Sequence, residues 1–149
     1  IYQRYKEGLK DLPIMMNPFI EEECEPNYWL SCMIIKPEGM CKQVMGERES
    51  LYIKEPGKSC PAQILETLAK YNVEGRPIWK PMHMQPIYRN NPYITKEGNG
   101  RANTNAYIEG KATDVGMDIF NRGLCLPSDN KMTAKQQDII IEIIKGCFE

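Results

Sequence analysis

Between Arg76 and Tyr88 the chain reads RPIWKPMHMQPIY, a stretch with three prolines, one tryptophan and the sole histidine of the sequence. Prolines this dense exclude a regular α-helix, and a central strand is excluded because proline brings no backbone N–H to a ladder. A stiff loop remains. Trp79 and Tyr88 offer flat apolar faces with polar tips, His83 and Gln85 can donate or accept hydrogen bonds, and Arg76 and Lys80 can meet an anion. Aromatic walls with a few convergent polar groups suit a small-molecule pocket, but the same residues would serve a packed structural loop equally well. On the residues alone both readings stay open.

Other candidate chemistry is weaker. Lys80, between Trp79 and Pro81, is the lysine in the most apolar setting, yet a cofactor lysine needs a phosphate-holding turn and a carboxylate partner that the sequence does not supply. Its stem is expected to pack while its head reaches water or an anionic ligand. EPGKS, Glu55–Ser59, resembles the tail of a phosphate-binding loop, but Tyr52 stands where that motif requires glycine. EGNGR, Glu97–Arg101, has no strand before it and reads as a surface loop. EEECE, Glu21–Glu25, lacks the alternating oxygen ligands of a hard-cation site. The six cysteines are scattered without a C-x-x-C pair, so neither a zinc site nor a particular cysteine nucleophile is indicated. Free thiols in a reducing compartment, the cytoplasm, are expected.

These residues must be positioned by an alternation of short elements. IYQRYKEGLKDL has Tyr2, Tyr5, Leu9 and Leu12 at helical spacing and is already in mid-pattern at Ile1, which suggests a piece of something longer. Pro13 should end that helix. Tyr28–Ile35, aromatic and β-branched between Pro26 and Pro37, is the best strand, and SLYIK a possible short one. Ser59 is placed to cap a helix running to Tyr71, with Ala62, Leu65, Leu68 and Ala69 on one face. Asn90–Gly110 reads as loop. A short helix is expected over Ala112–Asn121, with Val115, Ile119 and Phe120 inward and Gly123 as its stop. LCLP is extended, and Thr133 caps a last helix to about Cys147, with Ile140, Ile143, Ile144 and Cys147 on its apolar face. The order predicts an α+β domain, a small antiparallel or mixed sheet covered by helices.

Length and composition agree with one folded domain: 149 residues, 42% hydrophobic and 26% charged. A net charge of −1 with mixed signs gives no footprint for nucleic acid. The longest apolar stretch near the end, IIIEII, is interrupted by Glu142 and too short to span a membrane, and the first residues do not read as a signal peptide.

Two co-linear motifs, LAKYNVEGRPIWKPMHMQP and DIFNRGLCLPSDNKMTAKQQDIIIEIIKG, resemble the C-terminal part of the PLP-dependent nucleotide-sugar aminotransferases, the DegT-type family of aspartate aminotransferase fold type I. The W-x-P-x-H-x-Q-P loop matches at Trp79–Pro86, and G-L-x-L-P-S at Gly123–Ser128, before the capping Thr133. The resemblance implies that residues 1–149 form the small C-terminal domain, with 1–12 the end of the interdomain helix. It implies that the large domain, with the lysine that holds pyridoxal phosphate, is absent from this chain. No catalytic, cofactor-binding or metal-binding residue is then expected here, and the isolated chain should be inactive. His83 would face the substrate, accompanied by Trp79, Lys80, Gln85 and Tyr88. The parent would be a cytoplasmic homodimer that moves an amino group from an amino-acid donor, commonly glutamate, onto a nucleotide-linked keto sugar for polysaccharide biosynthesis. A non-enzymatic regulatory or sugar-binding module on the same fold is the alternative. Gly39–Lys58 and Thr95–Lys111 match no pattern of the family, which leaves the sugar open.

Overall fold

A computed structural model describes residues 1–20, 22–45, 50–88, 91–94, 101–103 and 114–149. In chain order its elements are α1 (Tyr2–Gly8), β1 (Ile14–Met16), β2 (Ser31–Ile35), β3 (Gln43–Met45), β4 (Ser50–Tyr52), α2 (Pro61–Lys70), β5 (Arg76–Pro77), β6 (Pro92–Ile94), β7 (Arg101–Asn103), α3 (Val115–Arg122), β8 (Gly123–Leu126) and α4 (Ala134–Lys145). They divide into two compact units, Ile1–Ile78 with Arg122–Glu149, and Trp79–Asn121.

The first unit is built on a four-stranded antiparallel sheet of order β1-β2-β8-β5. Strand alternation sends Ser31, Met33 and Ile35 to one face, where Leu124, Leu126 and Met16 join them. Tyr2, Tyr5 and Leu9 from α1, Ile64 and Leu68 from α2, and Ile140, Ile141 and Ile144 from α4 complete that core. Each fully buried Leu or Ile contributes about 1.5–3 kcal/mol, so this layer of helices on a sheet is the main source of stability. The α+β class expected from the sequence, a small antiparallel sheet covered by helices, is the one observed. Among the described residues no helix is long and apolar enough to cross a membrane.

Several boundaries differ from the expectation, each for a local reason. The helix at the start is regular only to Gly8, and Leu9–Leu12 continue as tight turns. The strand expected from Tyr28 begins at Ser31, because Tyr28 lies in the left-handed region (φ 51°) and the Trp29 N–H is taken by Asn27 Oδ1. Ser59 does not cap α2. Cys60 holds that position, while the Ser59 backbone bridges Gly39 and Cys41. The helix turns Gln63, Ile64 and Leu68 inward and leaves Ala69 exposed. Thr133 does cap α4, in a reciprocal pair with Gln136.

The second unit corrects the reading of Asn90–Gly110 as loop throughout. β6 and β7 pair antiparallel, Pro92 opposite Asn103 and Ile94 opposite Arg101. Gly98 and Gly100 of the EGNGR motif, and Glu21 of the acidic run, lie outside the described residues. α3 spans Val115–Arg122, the expected start at Ala112 lies outside the described residues, and Val115 is 63% exposed where an inward position was expected.

Candidate functional site

The proline-rich stretch begins as an edge strand, β5, where Pro77 is tolerated because only one side of the strand carries a ladder. Beyond Ile78 it enters the second unit as two consecutive 3₁₀ turns, Met82–Met84 and Pro86–Tyr88. Prolines set both: Pro81 precedes the first and accepts the Met84 N–H, and Pro86 opens the second. Gln85 spends its side-chain nitrogen on this geometry, donating to the Lys80 carbonyl oxygen at 3.2 Å. The Tyr88 N–H in turn donates to the Gln85 carbonyl oxygen at 3.0 Å.

His83 leaves the first of these turns with 16% of its side chain exposed, and its Nε2 meets Oδ2 of Asp114, which is 1% exposed. Asp114 stands immediately before α3. Its Oδ1 accepts the Met117 N–H at 2.9 Å and its carbonyl oxygen accepts the Asp118 N–H, so the same residue starts the helix and holds the histidine. Gly116 allows the close approach: a Cβ there would lie 3.3 Å from Pro81 Cγ and 3.5 Å from Asp114 Oδ1. A carboxylate on one imidazole nitrogen fixes both tautomer and ring orientation.

The five residues singled out from the sequence all fall in this unit. Trp79 is 65% exposed, so within this chain it is not a core aromatic. Lys80, His83, Gln85 and Tyr88 are half-buried. Asp114 was missed, and Gly116 with it. The signal was present in TDVGMDIF, an Asp directly ahead of an amphipathic run, the usual N-cap placement.

A concavity of about 740 Å³ lies elsewhere, in the first unit, between Tyr71–Glu74 and Pro127–Asp129, and includes none of the loop residues. Among the described residues no group of three His, Cys, Asp or Glu side chains could hold a metal ion.

No family model matches the chain. It is 35% identical over 88 residues to a protein of Bacillus subtilis (strain 168) named as the pyridoxal phosphate-dependent aminotransferase EpsN, an overlap of 59% of this chain and 19% of that one. Its fold matches a protein named as the sugar aminotransferase Spr1654 from Streptococcus pneumoniae, in its PMP form, with a TM-score of 0.64 and 20% identity over 98% of this chain and 28% of that one. The aminotransferase TlmJ from Streptoalloteichus hindustanus matches with a TM-score of 0.59 and 12% identity, again over 98% of this chain and 29% of its own. The chain thus spans about a fifth of the length of the curated relative and under a third of these solved structures. The resemblance read from the sequence is upheld: the chain has the fold of the small domain of a sugar aminotransferase and is similar in sequence to a pyridoxal phosphate-dependent one.

The loop residues do not themselves fit that cofactor. A pyridoxal phosphate site needs a lysine, donors for the phosphate and a carboxylate on the ring nitrogen. Here the Asp114 carboxylate is engaged by His83 and Met117, and the α3 N-terminus that could receive a phosphate is already capped by it.

Proposed function

We propose that this chain is the substrate-covering small domain of a pyridoxal phosphate-dependent aminotransferase that moves an amino group from an amino acid, commonly glutamate, onto a nucleotide-linked keto sugar. The observation that carries the reading is the match to sugar aminotransferases over 98% of the chain. The sequence similarity to EpsN adds independent support. Pyridoxal phosphate, held by the remainder of the protein, would supply the electron sink for amino transfer.

On this reading the contribution of the chain is recognition and coverage. His83, oriented by Asp114, hydrogen-bonds a sugar hydroxyl or the nucleotide phosphates. Lys80 adds a positive charge toward those phosphates, and Trp79 lays an apolar face over the substrate and excludes water. Gln85 and Tyr88 keep the double turn in shape. The parent works as a cytoplasmic homodimer, and the isolated chain does not transaminate.

The test is amino transfer from glutamate to a nucleotide-linked keto sugar by the complete protein, with His83→Ala alongside. The variant should raise KM for the sugar at least tenfold and leave keto-acid release from glutamate unchanged. Unaltered sugar affinity combined with lost stability would instead assign His83 to packing. Release of keto acid from glutamate by the isolated chain would overturn its assignment as a covering domain only.

A further inference from the structure

We propose that Cys32 and Cys125 form a cross-strand redox pair, a modification site that closes to a disulfide when it meets a low-molecular-weight disulfide. The two residues lie directly opposite each other in the central strands β2 and β8, with their sulfurs 3.5 Å apart. Their side chains share the sheet face away from the helical core, since Ser31, Met33, Leu124 and Leu126 take the other.

The backbone decides whether the bond can close. The Cys32 N–H donates to Asn17 Oδ1 at 3.2 Å, and the Cys32 carbonyl oxygen accepts the Asn17 N–H at 2.9 Å. Both backbone groups of Cys32 therefore point away from β8, which makes Cys32–Cys125 a non-hydrogen-bonded pair. Such pairs hold their Cα atoms about 4.5 Å apart, inside the range of roughly 4.4–6.8 Å that a disulfide spans. Bringing the sulfurs to about 2.05 Å then needs side-chain rotation and no strand movement.

The chemistry is also poised. The contact between the two sulfurs holds the Cys32 thiol down at about 7, while burial works against this. The same contact, with burial, pushes the Cys125 thiol upward. Cys32 is the more exposed of the two. Its thiolate attacks the incoming disulfide RSSR, forming a protein–SR mixed disulfide and releasing RS⁻, which takes up a proton as RSH. Cys125 then loses its proton and attacks the Cys32 sulfur, closing the protein disulfide and expelling the second RSH. Two thiols are oxidised and one RSSR is reduced to two RSH. A second thiol pair, Cys41 and Cys60, is a poorer candidate, because both are buried and the Cys41 thiol is pushed up to about 12 by burial and by Cys60.

Closure would tie off the segment between residues 32 and 125, which contains the whole second unit and with it His83. The decisive experiment holds the intact protein in oxidised glutathione, traps remaining thiols by alkylation after unfolding, and maps the peptides. The expected product is a peptide linking Cys32 to Cys125, reversed by reduced glutathione. Cys125→Ser should stop the reaction at a glutathione adduct on Cys32, and Cys32→Ser should leave Cys125 unmodified. The proposal is overturned if Cys32 and Cys125 both stay alkylatable once the exposed Cys24 has taken up glutathione. A link between Cys41 and Cys60 in place of Cys32–Cys125, or a stable adduct on Cys32 in the unaltered protein, would overturn it equally.

Discussion

Asp114 uses both carboxylate oxygens, Oδ1 on the Met117 N–H at the start of α3 and Oδ2 on Nε2 of His83. One side chain thereby couples the start of a helix to the ring orientation of the sole histidine. The two roles can be separated, because asparagine caps a helix about as well as aspartate but brings no charge to an imidazole.

Asp114→Asn should therefore keep α3 and weaken the hold on His83. Loss of a hydrogen bond to a charged group costs about 1.5–3 kcal/mol, and Asp114→Ala should cost about 1 kcal/mol more because the cap goes too. Denaturant unfolding of the single variants and of their combinations with His83→Ala checks this. In the His83→Ala background the cost of Asp114→Asn should largely disappear, since its partner is already gone. Additive costs would mean that the two side chains are not energetically coupled.

Tyr5 ties α1 to the segment after β8. It is fully buried, and its hydroxyl donates to the Pro127 carbonyl oxygen at 3.0 Å; burial keeps the phenol un-ionised well above its ordinary range. Tyr5→Phe preserves the packing and removes only that donor. A loss of about 0.5–1.5 kcal/mol is expected in thermal or denaturant unfolding. Tyr5→Ala should cost about 3–5 kcal/mol, in the range for emptying an aromatic site.

Gly39 offers a contrasting case. A Cβ there would fall 2.5 Å from Pro13 Cγ, 2.8 Å from Pro13 Cβ and 3.0 Å from the Pro13 carbonyl oxygen. A proline ring and a backbone oxygen cannot swing aside as a flexible side-chain end can. Pro13 is also held in place, its carbonyl oxygen accepting the Lys36 N–H at 2.8 Å. Gly39→Ala should destabilise by about 1–3 kcal/mol, as overpacking does. A melting temperature equal to that of the unaltered protein would contradict this placement of the turn after β2.

What the sequence made legible follows from how local each determinant is. α4 was readable because Thr133 and the isoleucine spacing are both written within one helix. β8 was readable as LCLP, an apolar run bounded by Gly and Pro. β1 and β5 were not, because strands of three and two residues exist only through partners far along the chain, Ile14 opposite Ile35 and Arg76 opposite Cys125. The site divides in the same way. The loop from Trp79 to Tyr88 announced itself by composition, whereas Asp114 became visible as a partner only when 31 residues of separation were folded away.

The proton balance between Cys32 and Cys125 gives a measurable pH dependence. The contact with Cys125 holds the Cys32 thiol down at about 7. The depressed value means that the folded state favours the ionised form. The associated stability is present above the ordinary thiol value and is lost as pH falls through about 7. Cys125 has the opposite sign, its raised value favouring the protonated form and opposing stability at high pH. Alkylation of Cys32 in the folded protein should follow its thiolate, with a midpoint near pH 7. Cys125→Ala removes that contact and should raise the midpoint by roughly one to two pH units. Fewer thiolates at neutral pH are partly offset by the greater nucleophilicity of a less acidic thiol, so the rate should fall several-fold, roughly sixfold for a two-unit shift. Peptide-resolved alkylation rates between pH 6 and pH 9.5, roughly the window of the ordinary and depressed thiol values, provide the measurement. An unchanged midpoint in Cys125→Ala would show that Cys125 does not lower the Cys32 thiol.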